Sequence, residues 1–294
     1  MKIANPTIGS DPEYGAVDQQ GIPRSVVGFL PGTKQEPFPL NEHVSCQIDN
    51  VGAECCIPPC STEDDFVKFM TIARVLTQQK LREQAPHLSL VSRSSQRYSD
   101  EELNSDSARL FGCDPSYCVY IGDRSHRPSP EQVGNLRSFG FHIHVGFKLE
   151  EGENQIPYVT NLIRAMDIML GVPSIIIDRD TDRRQIYGNA GDLRYRMIKD
   201  ILVIEYRTLG AFMHSSSELL RFCYQQTMKA IEMVNHWQNR YELEGQIIQS
   251  AIDTGNVEQC MAICNAYNIV IPEQFKQTEY ATNSGIRVAS EANV

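Results

Sequence analysis

The sequence predicts an α+β fold built around an antiparallel sheet, and three observations carry that prediction. Segments with strand-like alternation follow one another directly instead of alternating with helices. Segments with helical spacing of apolar residues fall between these hairpin-like pairs. No Gly-x-Gly-x-x-Gly and no Gly-x-x-x-x-Gly-Lys occurs, so neither a Rossmann cofactor site nor a P-loop is expected. The 294 residues suffice for one sizeable core. With 41% hydrophobic and 22% charged residues, the composition is that of an ordinary soluble globular protein. No apolar run approaches the length of a membrane span, and the N-terminus lacks the apolar core of a signal peptide. The expected location is therefore the cytoplasm, with no membrane partner.

Taken in order, residues 8–60 read as short strands and turns, with Ile48 to Ile57 the best strand candidate. A helix is expected after Ser61-Thr62, because Phe66, Phe69, Met70, Ala73 and Leu76 carry helical spacing, and Pro86 ends it. Residues 88–138 are polar and turn-rich and read as a long excursion containing Phe111-Gly112-Cys113-Asp114-Pro115. A second helix fits Tyr158 to Leu170, with Gly171 at its end. Strands are expected at Ser174–Asp178, Leu193–Ile198 and Ile201–Leu209. Ser215 with Glu218 makes a capping-box start for a long helix reaching about Arg240. Two short helices near 244–253 and 256–267 complete a single domain over 1–272, and residues 273–294 form a polar tail expected to be flexible.

Nine cysteines, at 46, 55, 56, 60, 113, 118, 223, 260 and 264, show no repeating spacing. They read as reduced thiols packed as small hydrophobes, with a structural zinc site as the second reading. The net charge of −10 argues against general nucleic-acid binding. Basic charge is nonetheless concentrated between Arg179 and Arg207, mixed with acids and dominated by arginine. Most mixed runs are solvated ion-pair faces. Arginine, however, is preferred for bidentate phosphate or carboxylate contacts, so a small anionic partner is expected.

The most informative segment is Gly140-Phe141-His142-Ile143-His144-Val145-Gly146. Phe139, Phe141, Ile143, Val145 and Phe147 share one strand face, which leaves His142 and His144 together on the other. In a second strand Val203, Glu205, Arg207 and Leu209 share a face, opposite Leu202, Ile204 and Tyr206. Two imidazoles can supply metal ligands, and a carboxylate beside a guanidinium is costly to bury without a partner. These two strands are expected to wall one site. Asp11 and Glu13 point the same way if the chain is extended there, although Ser10-Asp11-Pro12 alone reads as a turn or helix cap. Glu54, between Ala53 and Cys55, is an unusual setting for a solvated acid. A cupin site is disfavoured, because it wants a Glu four or five residues after the second His and Glu150 lies six on.

Asp11-x-Glu13, Glu54, Gly140-x-His142-x-His144-x-Gly146, Asp182-Arg183-Arg184 with Tyr187-Gly188, Arg194 and Glu205-Tyr206-Arg207 occur in a characteristic order. In that order the chain resembles the carboxylate–amine ligases of the glutamine synthetase and glutamate–cysteine ligase superfamily. It is most similar to the type 2 amidoligases often encoded by bacteriophages. Gly9-Ser10-Asp11-Pro12-Glu13, Phe111-Gly112-Cys113-Asp114-Pro115 and Arg184-x-x-Tyr187-Gly188-x-x-Gly191 carry that closer likeness, which spans roughly Ile8 to Phe212.

The resemblance implies a curved antiparallel sheet forming an active-site funnel, packed by helices on one face. It implies ATP and two or three Mg2+ or Mn2+ ions. By that likeness Asp11, His142 and Glu205 form the metal site nearest the ATP phosphates, and Glu13 and Glu54 the one nearest the substrate, with Asp49 a candidate third carboxylate. Arg184, Arg194 and Arg207 match positions that hold phosphate or the substrate carboxylate, and His144 belongs to the site. The implied activity is amide-bond formation through an acyl phosphate on an amino acid or peptide, in the host cytoplasm if phage-encoded, with oligomers compatible with the fold. The alternatives are a guanidino-kinase-like phosphotransferase and a non-catalytic binding or assembly member. A metal-dependent hydrolase could use His142, His144 and Glu205 but leaves the arginines unexplained.

Overall fold

Eleven residues from Thr7 to Val17 form the strand β1, around which the sheet is assembled; the computed structural model describes residues 2–109, 116–125, 129–236 and 242–276. The other long strands are β2 (Ser45–Asp49), β3 (Gly52–Cys56), β4 (Phe141–Lys148), β5 (Asp192–Ile198) and β6 (Ile201–Tyr206). They run in the order β2-β3-β1-β4-β6-β5, every neighbour antiparallel, within an eleven-stranded sheet completed by short strands. The architecture is thus mixed helix and antiparallel sheet, as expected from strands that follow strands.

The alternation in β4 and β6 sorts side chains as the sequence predicts. Phe141, Ile143, Val145, Phe147, Leu202, Ile204 and Tyr206 are all buried in the main core. Helix α1 (Glu63–Gln84) contributes Phe66, Met70 and Ala73 to that core. Its start is set by Thr62, whose Oγ1 accepts from the Asp65 amide at 3.1 Å, and by three acids in the first turn that suit the helix dipole. It ends at Ala85, just before Pro86.

Several expectations are corrected. Ile48 to Ile57 is two strands, β2 and β3, hinged at Asn50, whose φ of 56° is the left-handed conformation asparagine tolerates. Ser10-Asp11-Pro12 is extended backbone inside β1 and not a turn. The 88–138 excursion also carries sheet: Ser89–Val91 pairs with β1, Tyr117–Cys118 pairs with β5, and Ser95–Arg97 pairs with Leu136–Ser138.

The largest correction lies after the second helix. Helix α2 (Gln155–Met166) does not stop at Gly171 but passes through a π-helical turn, Asp167–Gly171, into α3 (Val172–Ile177). The strand expected at Ser174–Asp178 is therefore helical. Every residue of α3 is buried, so no polar face reveals its period, and a short apolar run is ambiguous between strand and buried helix. Gly171 serves close packing instead of capping, since a Cβ there would lie 2.6 Å from the Tyr206 hydroxyl. The continuous helix also corrects the membrane expectation. Gln155–Ile177 is long and apolar enough to cross a membrane by length and composition, but 83% of its apolar window is buried in this fold.

Helix α4 (Ser217–His236) is capped by Ser216, whose Oγ accepts from the Leu219 amide at 3.2 Å, one residue later than the expected Ser215 cap. Its expected extension to Arg240 lies outside the described residues. The two short helices are α5 (Glu242–Asp253) and α6 (Val257–Ala266). Of the polar tail, Glu273–Lys276 forms one further helical turn with Phe275 buried, and residues 277–294 lie outside the described residues. The eight described cysteines are all free and all but Cys56 are buried; Cys113 and its Phe111–Pro115 motif lie outside the described residues.

Candidate active site

Opposed residues on antiparallel strands share a face, so sheet register decides which side chains meet. Asp11 lies opposite His142 across β1 and β4. His144 lies opposite Glu205 across β4 and β6, and Arg194 opposite Glu205 across β5 and β6. Glu13 lies opposite Glu54 across β1 and β3, and Gln47 opposite Glu54 across β2 and β3. Residues drawn from most of the chain therefore form adjoining rows on one face.

Side chains of these rows converge. His142 Nδ1 is 3.1 Å from Asp11 Oδ1 and 3.7 Å from Glu205 Oε1. His144 Nε2 is 3.3 Å from Asp11 Oδ1. Glu205 pairs with Arg207, and Arg194 Nη1 approaches the same carboxylate at 3.9 Å. Beside this group, Glu13 Oε2 accepts from the Gly140 amide at 2.6 Å, and its Oε1 is 3.9 Å from His142 Nε2. Glu54 Oε2 accepts from Gln47 Nε2 at 2.8 Å. Asp49 pairs with Lys34 at 2.9 Å and lines, with Glu13, His142 and Arg207, a cavity of about 70 Å³. A larger cavity of about 370 Å³ lies elsewhere, beside Asp18, Arg24 and Glu102, whose charges pair with one another.

Residues 135–283, just over half of the chain, match the family described as phage phiEco32-like COOH.NH2 ligase, type 2. The chain belongs to that family. It is accordingly a carbon–nitrogen ligase. The match takes in His142, His144, Arg184, Arg194, Glu205 and Arg207, and it continues into the C-terminal helices beyond the expected limit at Phe212. Asp11, Glu13 and Glu54 lie before it, so they join the site through the register of β1 and β3. Among solved structures, one titled "Apo GmaS without ligand" is similar at 10% identity, covering 93% of this chain and 72% of that one, with a TM-score of 0.41. No curated protein matches.

The cluster holds several buried polar atoms that its own hydrogen bonds do not satisfy. Asp11 Oδ1, His142 Nδ1 and His144 Nε2 are buried and none makes a hydrogen bond, although all three point toward one another. Ligand atoms of Asp11, His144 and Glu205 lie within 4.8 Å of one another. Burial opposes ionisation of Asp11, yet His144 and His142 beside it hold its carboxyl well below the usual range. Burial likewise opposes ionisation of Glu205, and Arg207 overcomes it. His144 is raised, because the attraction of Asp11 outweighs its burial. Orphaned buried polar atoms are rare, and carboxylates with imidazole at this spacing fit a divalent cation.

Glu13 and Glu54 are different. Burial pushes both carboxyls up, His142 opposing the shift in Glu13, and neighbouring acids push Glu54 higher still. Positive charge beside two adjacent buried carboxylates would oppose that rise.

The arginines divide. Arg194 and Arg207 reach the cluster through Glu205. Arg184 is not brought to it: its guanidinium donates to the backbone carbonyls of Asp180 (2.7 Å) and Asp178 (3.5 Å). Its neighbour Arg183 does line the cavity, together with Arg137 and Arg207. Sequence reasoning quoted Arg183 within the Asp-Arg-Arg motif but had no signal for which arginine turns inward. It also passed over His214, whose Nε2 lies 3.0 Å from the Glu13 carbonyl and whose ring is buried edge-on against Tyr14 and Phe141. Burial pushes its imidazole down to about 3, so it is a neutral brace behind β1.

Proposed function

We propose that the protein joins a carboxylic acid to an amine with ATP as the energy source, through an acyl phosphate, on an amino acid or peptide. The observation that carries this reading is the set of buried ligand atoms on Asp11, His142 and His144, in contact with one another but without a hydrogen bond, beside the Glu205–Arg207 pair. In this reading Asp11, His142, His144 and Glu205 hold a Mg2+ or Mn2+ ion near the ATP phosphates, and Glu13 and Glu54, with Asp49 adjacent, hold another nearer the acid. Bound there, such ions would neutralise phosphate charge and lower the barrier to phosphoryl transfer.

A carboxylate is a poor acyl donor, so its oxygen first attacks the γ-phosphorus of ATP, releasing ADP and leaving an acyl phosphate. The amine then attacks the carbonyl carbon, the C–O bond to phosphate breaks, and the amine proton leaves with hydrogen phosphate. Arg207 and Arg194 are placed to oppose charge that builds on the transferring group, a contribution that can reach about 10³–10⁵ in rate for one well-placed arginine. Glu205 keeps Arg207 oriented. Water must be kept from the acyl phosphate, and a funnel over this sheet face, as the family resemblance implies, would do so.

The test is turnover of ATP with Mg2+ or Mn2+, pooled amino acids and hydroxylamine. Hydroxylamine captures an acyl phosphate as a hydroxamate, so acid-dependent hydroxamate that is lost in Glu205→Ala supports the reading. ATP loss without any acid requirement would replace it with a phosphotransferase or phosphohydrolase.

A further inference from the structure

Arg183 has no part in the reading above, yet it is buried and hydrogen-bonded beside the site. It is 5% exposed, and its Nη2 donates to the carbonyls of Arg207 (3.3 Å) and Leu209 (2.9 Å). Its Nε is buried with no hydrogen-bond partner. A guanidinium keeps its proton under all ordinary conditions, so that N–H cannot be silenced by deprotonation and calls for an acceptor. Two glycines make room for the group: a Cβ at Gly140 would lie 3.3 Å from Nη2, and one at Gly188 would lie 3.1 Å from Cζ. The same Gly140 position lies 2.6 Å from His142 Nε2, so the guanidinium borders the metal-ligand cluster directly.

The cavity that Arg183 lines has a second character. Val133, Leu136 and Ile186 form a small apolar cluster separate from the main core, with Tyr187 packed against it, and all four line this cavity along with Glu13 and His142. Those three aliphatic side chains offer neither donor nor acceptor. The volume of about 70 Å³ corresponds to about two waters at the roughly 30 Å³ each occupies in the liquid. A carboxylate and the first carbons of a hydrocarbon stem match the division into a charged end and an apolar wall.

We propose that Arg183 positions the reacting carboxylate of the acid substrate, and that Val133, Leu136 and Ile186 select acids whose carbons beside that carboxylate are bare hydrocarbon. The proposal rests on the ligase reading for the meaning of "reacting", while the binding preference stands independently. A larger substrate would present such an acid on a short aliphatic arm, its remainder outside the cavity. Asn50, Ser138 and Tyr187 line other parts of the cavity, but a hydroxyl on the stem turned toward the aliphatic wall would find no partner there, a modest penalty of the kind apolar pockets impose.

The experiment is a calorimetric titration of the full chain, with Mn2+ and a non-hydrolysable ATP analogue present, using pentanoate and 4-hydroxypentanoate as probes. Wild type is expected to prefer pentanoate. Arg183→Lys, which keeps the charge but loses Nε–H and the planar fork, is expected to weaken pentanoate at least tenfold while leaving the ATP analogue within twofold. Ile186→Thr, which leaves the arginine intact, is expected to shrink the preference for pentanoate at least fivefold. Failure of wild type to bind pentanoate, an unchanged preference in Ile186→Thr, or loss of the nucleotide instead of the acid in Arg183→Lys would each overturn the proposal. Hydroxamate formation from pentanoate, measured alongside, separates the two readings. Binding with the expected shifts but without hydroxamate overturns the acyl-phosphate reading and leaves the acid pocket standing.

Discussion

Asp167 sits in the π-helical turn behind β6, fully buried, and its Oδ1 accepts from the Tyr206 hydroxyl at 2.7 Å. Burial pushes its carboxyl up from 3.8 to about 7, against the hydrogen bond from Tyr206. The shift is roughly three pH units, and each is about 1.4 kcal/mol, so the ionised form costs on the order of 4 kcal/mol in the folded protein. Between about pH 4 and pH 7 the unfolded chain has released this proton while the folded chain still holds it, so stability falls as pH rises. Above about pH 7 both states are ionised and the full penalty remains. Asp167→Asn removes the titration while keeping an oxygen that can accept from Tyr206. Urea unfolding of both proteins from pH 4 to pH 8 isolates the effect, since other titrating groups, such as Asp192 with its carboxyl pushed up to about 6 by burial, are common to both. The variant is expected to be more stable than wild type at pH 8, the advantage shrinking steadily toward pH 4. A pH-independent difference would refute the reasoning, because it would mean that Asp167 titrates alike in both states.

Tyr206→Phe removes the donor to the same carboxylate and is expected to cost about 1–3 kcal/mol in urea unfolding at neutral pH, together with a further rise of the Asp167 titration midpoint seen by carboxylate infrared absorption. Saturating Mn2+, at a hundredfold excess over its dissociation constant, is expected to stabilise wild type by about 2.7 kcal/mol, and Asp11→Asn to lose most of the accompanying rise in melting temperature; an equal rise in the variant would remove Asp11 from the cation site. Gly140→Ala places a Cβ 2.6 Å from His142 Nε2. Displacing that ring by about an ångström is expected to lower turnover about 10²-fold with near-normal stability, as checked by hydroxamate assay and thermal melting.

The alternation that marks β4 and β6 was legible because one face of each strand is wholly apolar and the other carries the chemistry: Phe141, Ile143, Val145 and Phe147 against His142 and His144, and Leu202, Ile204 and Tyr206 against Glu205. Local chemistry at Thr62 and Pro86 likewise announced α1. Where burial is complete on every side, that signal vanishes. Val172–Ile177 shows no polar face, and its helical form depends on packing from neighbouring elements. Ser10-Asp11-Pro12 looked like a turn because its local preference is for one, and pairing with β4 overrode that preference.

The family likeness, the two strands that carry the candidate site, and the residue types that could meet a cation or an anion are all legible in the amino-acid order. Tertiary structure decided what they do together. Register alone sets Asp11 against His142 and Glu13 against Glu54, because a slip of one residue would turn either carboxylate to the opposite face. The choice between adjacent arginines was also tertiary. Arg183 fits between Gly140 and Gly188 and lines the cavity, whereas Arg184 turns to the carbonyls of Asp178 and Asp180. Neighbours in sequence share composition and charge, but only the packed backbone determines which of them has room to point inward.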